Sequence, residues 1–197
     1  MYMVKCRLRG KNFLYEACFK GKKTLDVGCG NGEFLRYDPD SIEGVDLNPK
    51  VIKQLSEEGL KVKLGSVETL PFGDKSFSRV HCRNVIEHLS PDLAYKMLRE
   101  SARVLDSGGI LVLGTEMATN KIWGTFGHTK PYPPGAIKKL LREKTGEEFE
   151  TLNELDYIDT LFLGHYSKYK ALYLISSFLA YYFPYFAREY FIFLRKR

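Results

Sequence analysis

Three glycines at alternate positions, Gly28, Gly30 and Gly32, follow an apolar run at residues 25–27 and stand two residues after an acid, Asp26. An apolar strand, a glycine turn and a helix-competent segment at Glu33-Phe34-Leu35 together offer a ligand bare backbone to lie against. Glycine is required there because a Cβ would both obstruct that approach and disfavour positive φ. The spacing narrows the ligand. A dinucleotide fingerprint places its third glycine where this chain has Glu33. Asp26 would repel a diphosphate and suits a ligand carrying an ammonium group. A second acid, Asp46, ends the next apolar strand at residues 41–47, and a carboxylate at a strand's carboxyl end can accept both hydroxyl protons of a ribose. The helix that follows has its own cap in Asn48-Pro49, which frees Asp46 for the crevice. Far along the chain, His128 is a side chain of the type whose ordinary pKa lies near neutrality, which suits a general base.

These groups need a scaffold that brings strand ends together. Helix signals at residues 12–19 and 49–58 and strand signals at residues 60–64 and 77–82 alternate along the chain. Ser90-Pro91 starts a helix whose apolar face is Leu93, Met97, Leu98, Ala102 and Leu105, and a turn at Asp106-Ser107-Gly108-Gly109 precedes a strand at residues 110–116. The alternation predicts an α/β doubly wound sheet. Strand signals at residues 149–158 and 190–196 complete seven strands.

The pattern D-x-G-x-G-x-G at Asp26 to Gly32 resembles motif I of the class I S-adenosylmethionine-dependent methyltransferases. Three further passages carry the resemblance to the broad type 11-like subgroup: Leu70-Pro71-Phe72, Asn84-Val85-Ile86-Glu87-His88-Leu89, and Arg103-Val104-Leu105-Asp106-Ser107-Gly108-Gly109. The resemblance runs continuously over residues 24–115. It implies a single Rossmann-like domain over residues 1–197, with a cofactor core at 23–116, a substrate loop and helical cap at 117–188, and a final antiparallel strand at 189–195. It implies S-adenosyl-L-methionine held by Asp26, Gly28, Cys29, Gly30, Gly32, Asp46, Leu47, Ser66, Val67, Glu68 and Asn84. His128, on the loop after strand five, is the candidate catalytic base, and no metal site is expected. Ser66 and Ser78 stand where the subgroup usually has Asp. His88 corresponds to a recurrent packing residue.

The acceptor is less constrained. A formal net charge of +6 is compatible with an acidic partner such as RNA or an anionic membrane surface, although no long basic run exists. Residues 117–134, with Trp123, His128 and Tyr132, have the composition of an ordered loop over the crevice, followed by a helix ending at Gly146. Residues 169–186 are rich in aromatics and too short for the roughly 20 apolar residues of a spanning helix. They read as a helix packed on the sheet, as the wall of a site for a lipid-like substrate, or as a membrane-surface contact. Cys6, Cys18, Cys29 and Cys82 form no C-x-x-C pair and no metal spacing, as expected of reduced thiols in a cytoplasmic protein without a secretory leader. The expected activity is methyl transfer to a small-molecule acceptor. The alternatives are a non-catalytic cofactor- or partner-binding module and a nicotinamide-dependent oxidoreductase.

Overall fold

The computed structural model describes residues 13–117, 124–146, 148–164, 170–183 and 187–197. Seven strands form one sheet in the order β3-β2-β1-β4-β5-β7-β6. They are β1 Thr24–Val27, β2 Ile42–Asp46, β3 Val62–Leu64, β4 Phe77–Arg83, β5 Leu105–Glu116, β6 Leu155–Leu163 and β7 Glu189–Lys196. The first five run parallel, and β7 runs antiparallel to both β5 and β6. The helices are α1 Phe13–Cys18, α2 Pro49–Glu57, α3 Pro91–Val104, α4 Pro134–Leu140 and α5 Lys170–Tyr182.

Alternation along the central strands divides the core in two. Leu25, Val27, Val80, Cys82, Leu111 and Leu113 face one way, against Met97, Leu98 and Ala102 of α3. Val112, Phe191 and Phe193 face the other, toward a cluster that includes Tyr15, Phe19 and Leu35. Full burial of a side chain such as Met97 or Leu111 stabilises the fold by about 1.5–3 kcal/mol. The two long-range helix starts are fixed locally: Asn48 Oδ1 accepts from Lys50 N at 3.0 Å, and Ser90 Oγ accepts from Leu93 N, each ahead of a proline at the first helical position.

Four expectations change. The helix expected after the glycine turn is only a 3-10 turn, Leu35–Tyr37. Pro39 follows within two residues, and Asp38 Oδ1 turns the chain back through Ser41 N. The turn at residues 106–109 lies within β5, as an irregularity in its pairing with β4 between Phe77↔Leu105 and Arg79↔Ile110. The sixth strand begins at Leu155, beyond the expected residue 149. Phe149, Leu152, Leu155 and Ile158 recur every third residue, and the true period of two is interrupted by a register shift between Tyr157 and Asp159. Finally, α4 stops at Leu140 and not at Gly146. Lys168 and Trp123 lie outside the described residues.

Candidate functional site

The glycine turn leaves β1 with all three glycines at positive φ: +70° at Gly28, +49° at Gly30 and +74° at Gly32. Their surroundings differ. A Cβ on Gly28 would stand 2.4 Å from Val85 Cγ2, and one on Gly32 would stand 2.7 Å from Leu55 Cδ2, whereas one on Gly30 would meet nothing within 4 Å. Gly28 and Gly32 are therefore bare to admit protein neighbours, and Gly30 is bare toward open space. Asp46, at the end of β2, accepts from Gly30 N through Oδ2 at 3.0 Å and from Asn48 N through Oδ1 at 2.9 Å. Each carboxylate oxygen retains a lone pair for a hydroxyl donor. Between them Cys29 is buried, and burial, with the charges of Asp26 and Asp46, pushes its thiol up to about 12. It is a packing group and not a nucleophile.

Asp26 is 4% exposed and bonds His81 Nδ1 through Oδ1 at 2.7 Å. The two stand opposite each other on β1 and β4. Phe34 stacks on the His81 ring with centroids 3.9 Å apart, and Phe19 meets it edge-on at 5.5 Å. Sequence reasoning missed His81, because nothing in a strand's sequence tells which neighbouring strand its polar residue will face. Asp26 and His81 form part of the lining of a cavity of about 620 Å³, bordered also by Tyr15, Gly28, Cys29, Gly30, Tyr37 and Asn84. Tyr15 is fixed there by a hydrogen bond to Asp38 Oδ2 and by stacking on Tyr37.

Asn84 adopts φ 55° and donates its N–H to Gly114 O at 3.0 Å, which aligns the ends of β4 and β5. The other sequence-predicted cofactor residues do not line that cavity. Leu47 is 72% exposed, an apolar surface beside Asp46 at the end of β2. Ser66 Oγ accepts from Glu68 N, and the Glu68 carboxylate pairs with Lys96 of α3 at 2.9 Å, so that side chain is directed to the helix. Val67 is half-buried against the core.

On the other side of Asn84, a 3-10 turn at Ile86–His88 meets the loop after β5. Thr129 N donates to Glu87 O at 2.8 Å, Thr129 Oγ1 to Leu89 O at 2.6 Å, and Tyr132 Oη to Leu89 O at 2.9 Å. These bonds hold His128 beside His88, with ring centroids 4.7 Å apart and planes at 79°. His88 is exposed and not packed in the core as expected; its Nδ1 donates to Gly127 O at 3.1 Å. Burial pushes the Tyr132 hydroxyl up to about 12, so it stays protonated near neutral pH and cannot serve there as a base.

A family model described as a methyltransferase domain matches residues 25–113, from within β1 to within β5. The sheet order with its reversed β7 is shared with solved methyltransferases. The structure of an S-adenosylmethionine-dependent methyltransferase from Archaeoglobus fulgidus superposes with a TM-score of 0.65 at 24% identity, covering 98% of this chain and 93% of that one. Over residues 25–113 the chain resembles the class I S-adenosylmethionine-dependent methyltransferases of the type 11 subgroup. A tRNA U34 carboxymethyltransferase of Campylobacter concisus is 37% identical over 105 residues, 48% of this chain and 36% of the relative. A ubiquinone biosynthesis O-methyltransferase of Thiobacillus denitrificans is 29% identical over 163 residues, 70% of this chain and 69% of the relative. The chain spans little more than a third of the length of the first curated relatives it matches. The residues fit S-adenosylmethionine: an open backbone position at Gly30, a hydroxyl acceptor at Asp46 and an exposed apolar surface at Leu47 lie side by side.

Proposed function

We propose that this protein is an S-adenosylmethionine-dependent methyltransferase that alkylates a small acceptor with substantial apolar surface, held between the loop after β5 and α5. The observation that carries the cofactor half of this reading is the open approach to Gly30 next to the Asp46 carboxylate. S-adenosylmethionine supplies an activated methyl on a sulfonium. The protein's part is then alignment and exclusion of water, and it needs few catalytic groups. Asp46 binds the ribose hydroxyls, the glycine turn and Asn84 border the methionine part, and Leu47 with the Ser66-Val67-Glu68 backbone borders the adenine. His128 assists removal of the acceptor's proton.

The apolar acceptor rests on α5. Leu172, Ile175, Phe178 and Tyr182 expose between 54% and 61% of their surface, three to four residues apart on one face. The helix packs on the end of β6, where a Cβ on Gly164 would lie 2.3 Å from the Ser176 backbone, and Gly164 itself borders the cavity. That packing beside the cavity is why this face is read as an acceptor wall; no helix among the described residues is long and apolar enough to cross a membrane. An RNA acceptor is the second reading. It is favoured by the names of two relatives, the bacterial enzyme above and a tRNA (carboxymethyluridine(34)-5-O)-methyltransferase of Arabidopsis thaliana, and by the net charge of +6. Both matches cover only about half of this chain.

Calorimetry with S-adenosylhomocysteine tests the cofactor half, with a micromolar Kd expected, about −8 kcal/mol at 1 μM. Binding of a nicotinamide dinucleotide in its place would overturn it. Transfer of labelled methyl groups into fractionated extract tests the acceptor: label in organic-extractable small molecules is expected, and label confined to RNA selects the second reading.

A further inference from the structure

Three side chains whose types the methyl-transfer reading does not require together converge where the 3-10 turn after β4 meets the loop after β5. One carboxylate oxygen of Glu87 and one ring nitrogen each of His88 and His128 all lie within 4.8 Å of one another. Glu87 is 1% exposed, and its Oε2 is buried with no hydrogen-bond partner. A carboxylate is not left in that state without a compensating charge or donor, since burial of an unpaired anion is among the costliest arrangements in a protein interior. The neighbouring imidazoles are set up to share a cation with it. His88 Nδ1 faces a carbonyl, Gly127 O, and a carbonyl only accepts. The proton therefore resides on Nδ1 and the Nε2 lone pair is left for a metal, the arrangement by which proteins orient ligating histidines. The perpendicular His128 ring brings its nitrogens in from a different direction. Bonds from Thr129 N to Glu87 O and from Thr129 Oγ1 to Leu89 O fix the two chain segments against each other.

Two imidazoles and one carboxylate form the donor set of sites that keep coordination positions open, as in zinc hydrolases and facial-triad iron sites. Magnesium, which prefers oxygen donors and retained water, fits this set poorly. Metal–ligand bonds of about 2.0–2.2 Å put donors roughly 3.5 Å apart around a tetrahedral ion, so the cluster has to close by no more than about 1.3 Å. We propose that Glu87, His88 and His128 bind one divalent transition-metal ion of the zinc class, whose open positions take an oxygen of the methyl acceptor. The inference rests on the methyltransferase reading for the identity of that oxygen, and not for the binding of the ion. The position supports it. Asn84, which borders the cavity beside the glycine turn, is three residues before Glu87, and the loop that carries His128 leaves the same carboxyl edge of the sheet. An acceptor hydroxyl bound there gives up its proton to solvent more readily than a free one, because the ion stabilises the oxyanion. His128 then assists as a ligand and does not itself take the proton.

The test uses the tag-free full chain, stripped with chelator and titrated with Co²⁺, whose visible absorption reports nitrogen and oxygen coordination, and with Zn²⁺ by calorimetry. One equivalent of each should bind, Mg²⁺ should not displace either, and His88→Ala and His128→Ala should each weaken binding by about 100-fold. His88 is exposed, so His88→Ala removes a donor without opening the core. Thermal unfolding of each variant verifies that it is folded. Absence of cobalt bands, or equal binding by the wild type and a folded His88→Ala, overturns the metal site. S-adenosylhomocysteine binding measured on the same samples separates the two inferences: cofactor binding without metal binding defeats only the metal site, and metal binding without cofactor binding defeats only the methyltransferase reading.

Discussion

The flank of the sheet proposed to hold the cofactor and the flank proposed to face the acceptor are built by different means. From β1 to β5 the site is made of backbone: glycines at positive φ, strand ends and one carboxylate tied to a turn N–H. Beyond Glu116 it is made of side chains on a loop and on a helix with an exposed apolar face. A backbone site recognises what all substrates of a family share, because it tolerates little change in sequence. A side-chain site can be altered one residue at a time without altering the fold. The comparisons follow the same division, since the matched family span ends at residue 113.

The sharpest break of that contrast lies within the glycine turn. Gly30→Val should abolish cofactor binding, a loss of more than 100-fold or about 2.7 kcal/mol, and its cost in stability should be confined to the strain of a β-branched residue at φ +49°, since its Cβ meets no protein atom within 4 Å. Gly28→Val should lower stability further, because its Cβ would also stand 2.4 Å from Val85 Cγ2. Calorimetry and thermal denaturation on both variants check this, and equal effects on affinity from the two would erase the distinction between ligand-facing and packing glycines.

Arg103 is next in size. Its guanidinium bonds Glu100 through both carboxylate oxygens and also reaches Asp74 and the carbonyls of Leu70 and Phe72, which pins the Leu-Pro-Phe loop to α3. Arg103→Ala should cost roughly 1.5–3 kcal/mol of stability in denaturant unfolding. The Arg103 hydrogen bonds hold the Glu100 carboxyl below the usual carboxylate range. A depressed folded-state pKa stabilises the fold above the unfolded value and loses that contribution as pH falls through the folded one. The variant should therefore lose less stability than the wild type between pH 7 and about pH 3. A parallel acid loss in the two proteins would show the pair to be without consequence.

Asp46 tests the cofactor flank more gently. Asp46→Ala should weaken S-adenosylhomocysteine by about 1.5–3 kcal/mol, and Asp46→Asn by less, since the amide oxygen can still accept from Gly30 N. Unchanged affinity in Asp46→Ala would place the ribose elsewhere.

Much of the cofactor flank was legible because its constraints are local. Alternate glycines, an acid at a strand end and Asn-Pro or Ser-Pro helix starts each act within a few residues, and they located β1, β2, α2 and α3. What failed depended on tertiary pairing. The register shift in β6 hid its period of two, and Pro39 cut short the helix expected after Gly32. His81 and Glu87 went unrecognised because their partners, Asp26 and His128, are far away in sequence and meet them only through the sheet order.

The smallest expected effect belongs to the acceptor flank, and it discriminates most finely between the two ways of building a site. Phe178 is 61% exposed and touches Tyr182 of its own helix, with ring centroids 4.7 Å apart. A side chain so exposed contributes little to stability, so Phe178→Ser should change it by no more than about 0.5 kcal/mol. The same substitution on Phe191, 3% exposed and packed in the sheet, should cost several times more, about 3–5 kcal/mol by analogy with other aromatic truncations in cores. If α5 walls the acceptor site, Phe178→Ser should raise the acceptor KM and leave S-adenosylhomocysteine affinity at the wild-type value, because the cofactor is held by backbone on the far side of Asn84. A destabilisation of Phe178→Ser comparable to that of the Phe191 variant would show that the exposed face is covered by a further part of the protein, and α5 would then be a packing element with no part in choosing the acceptor.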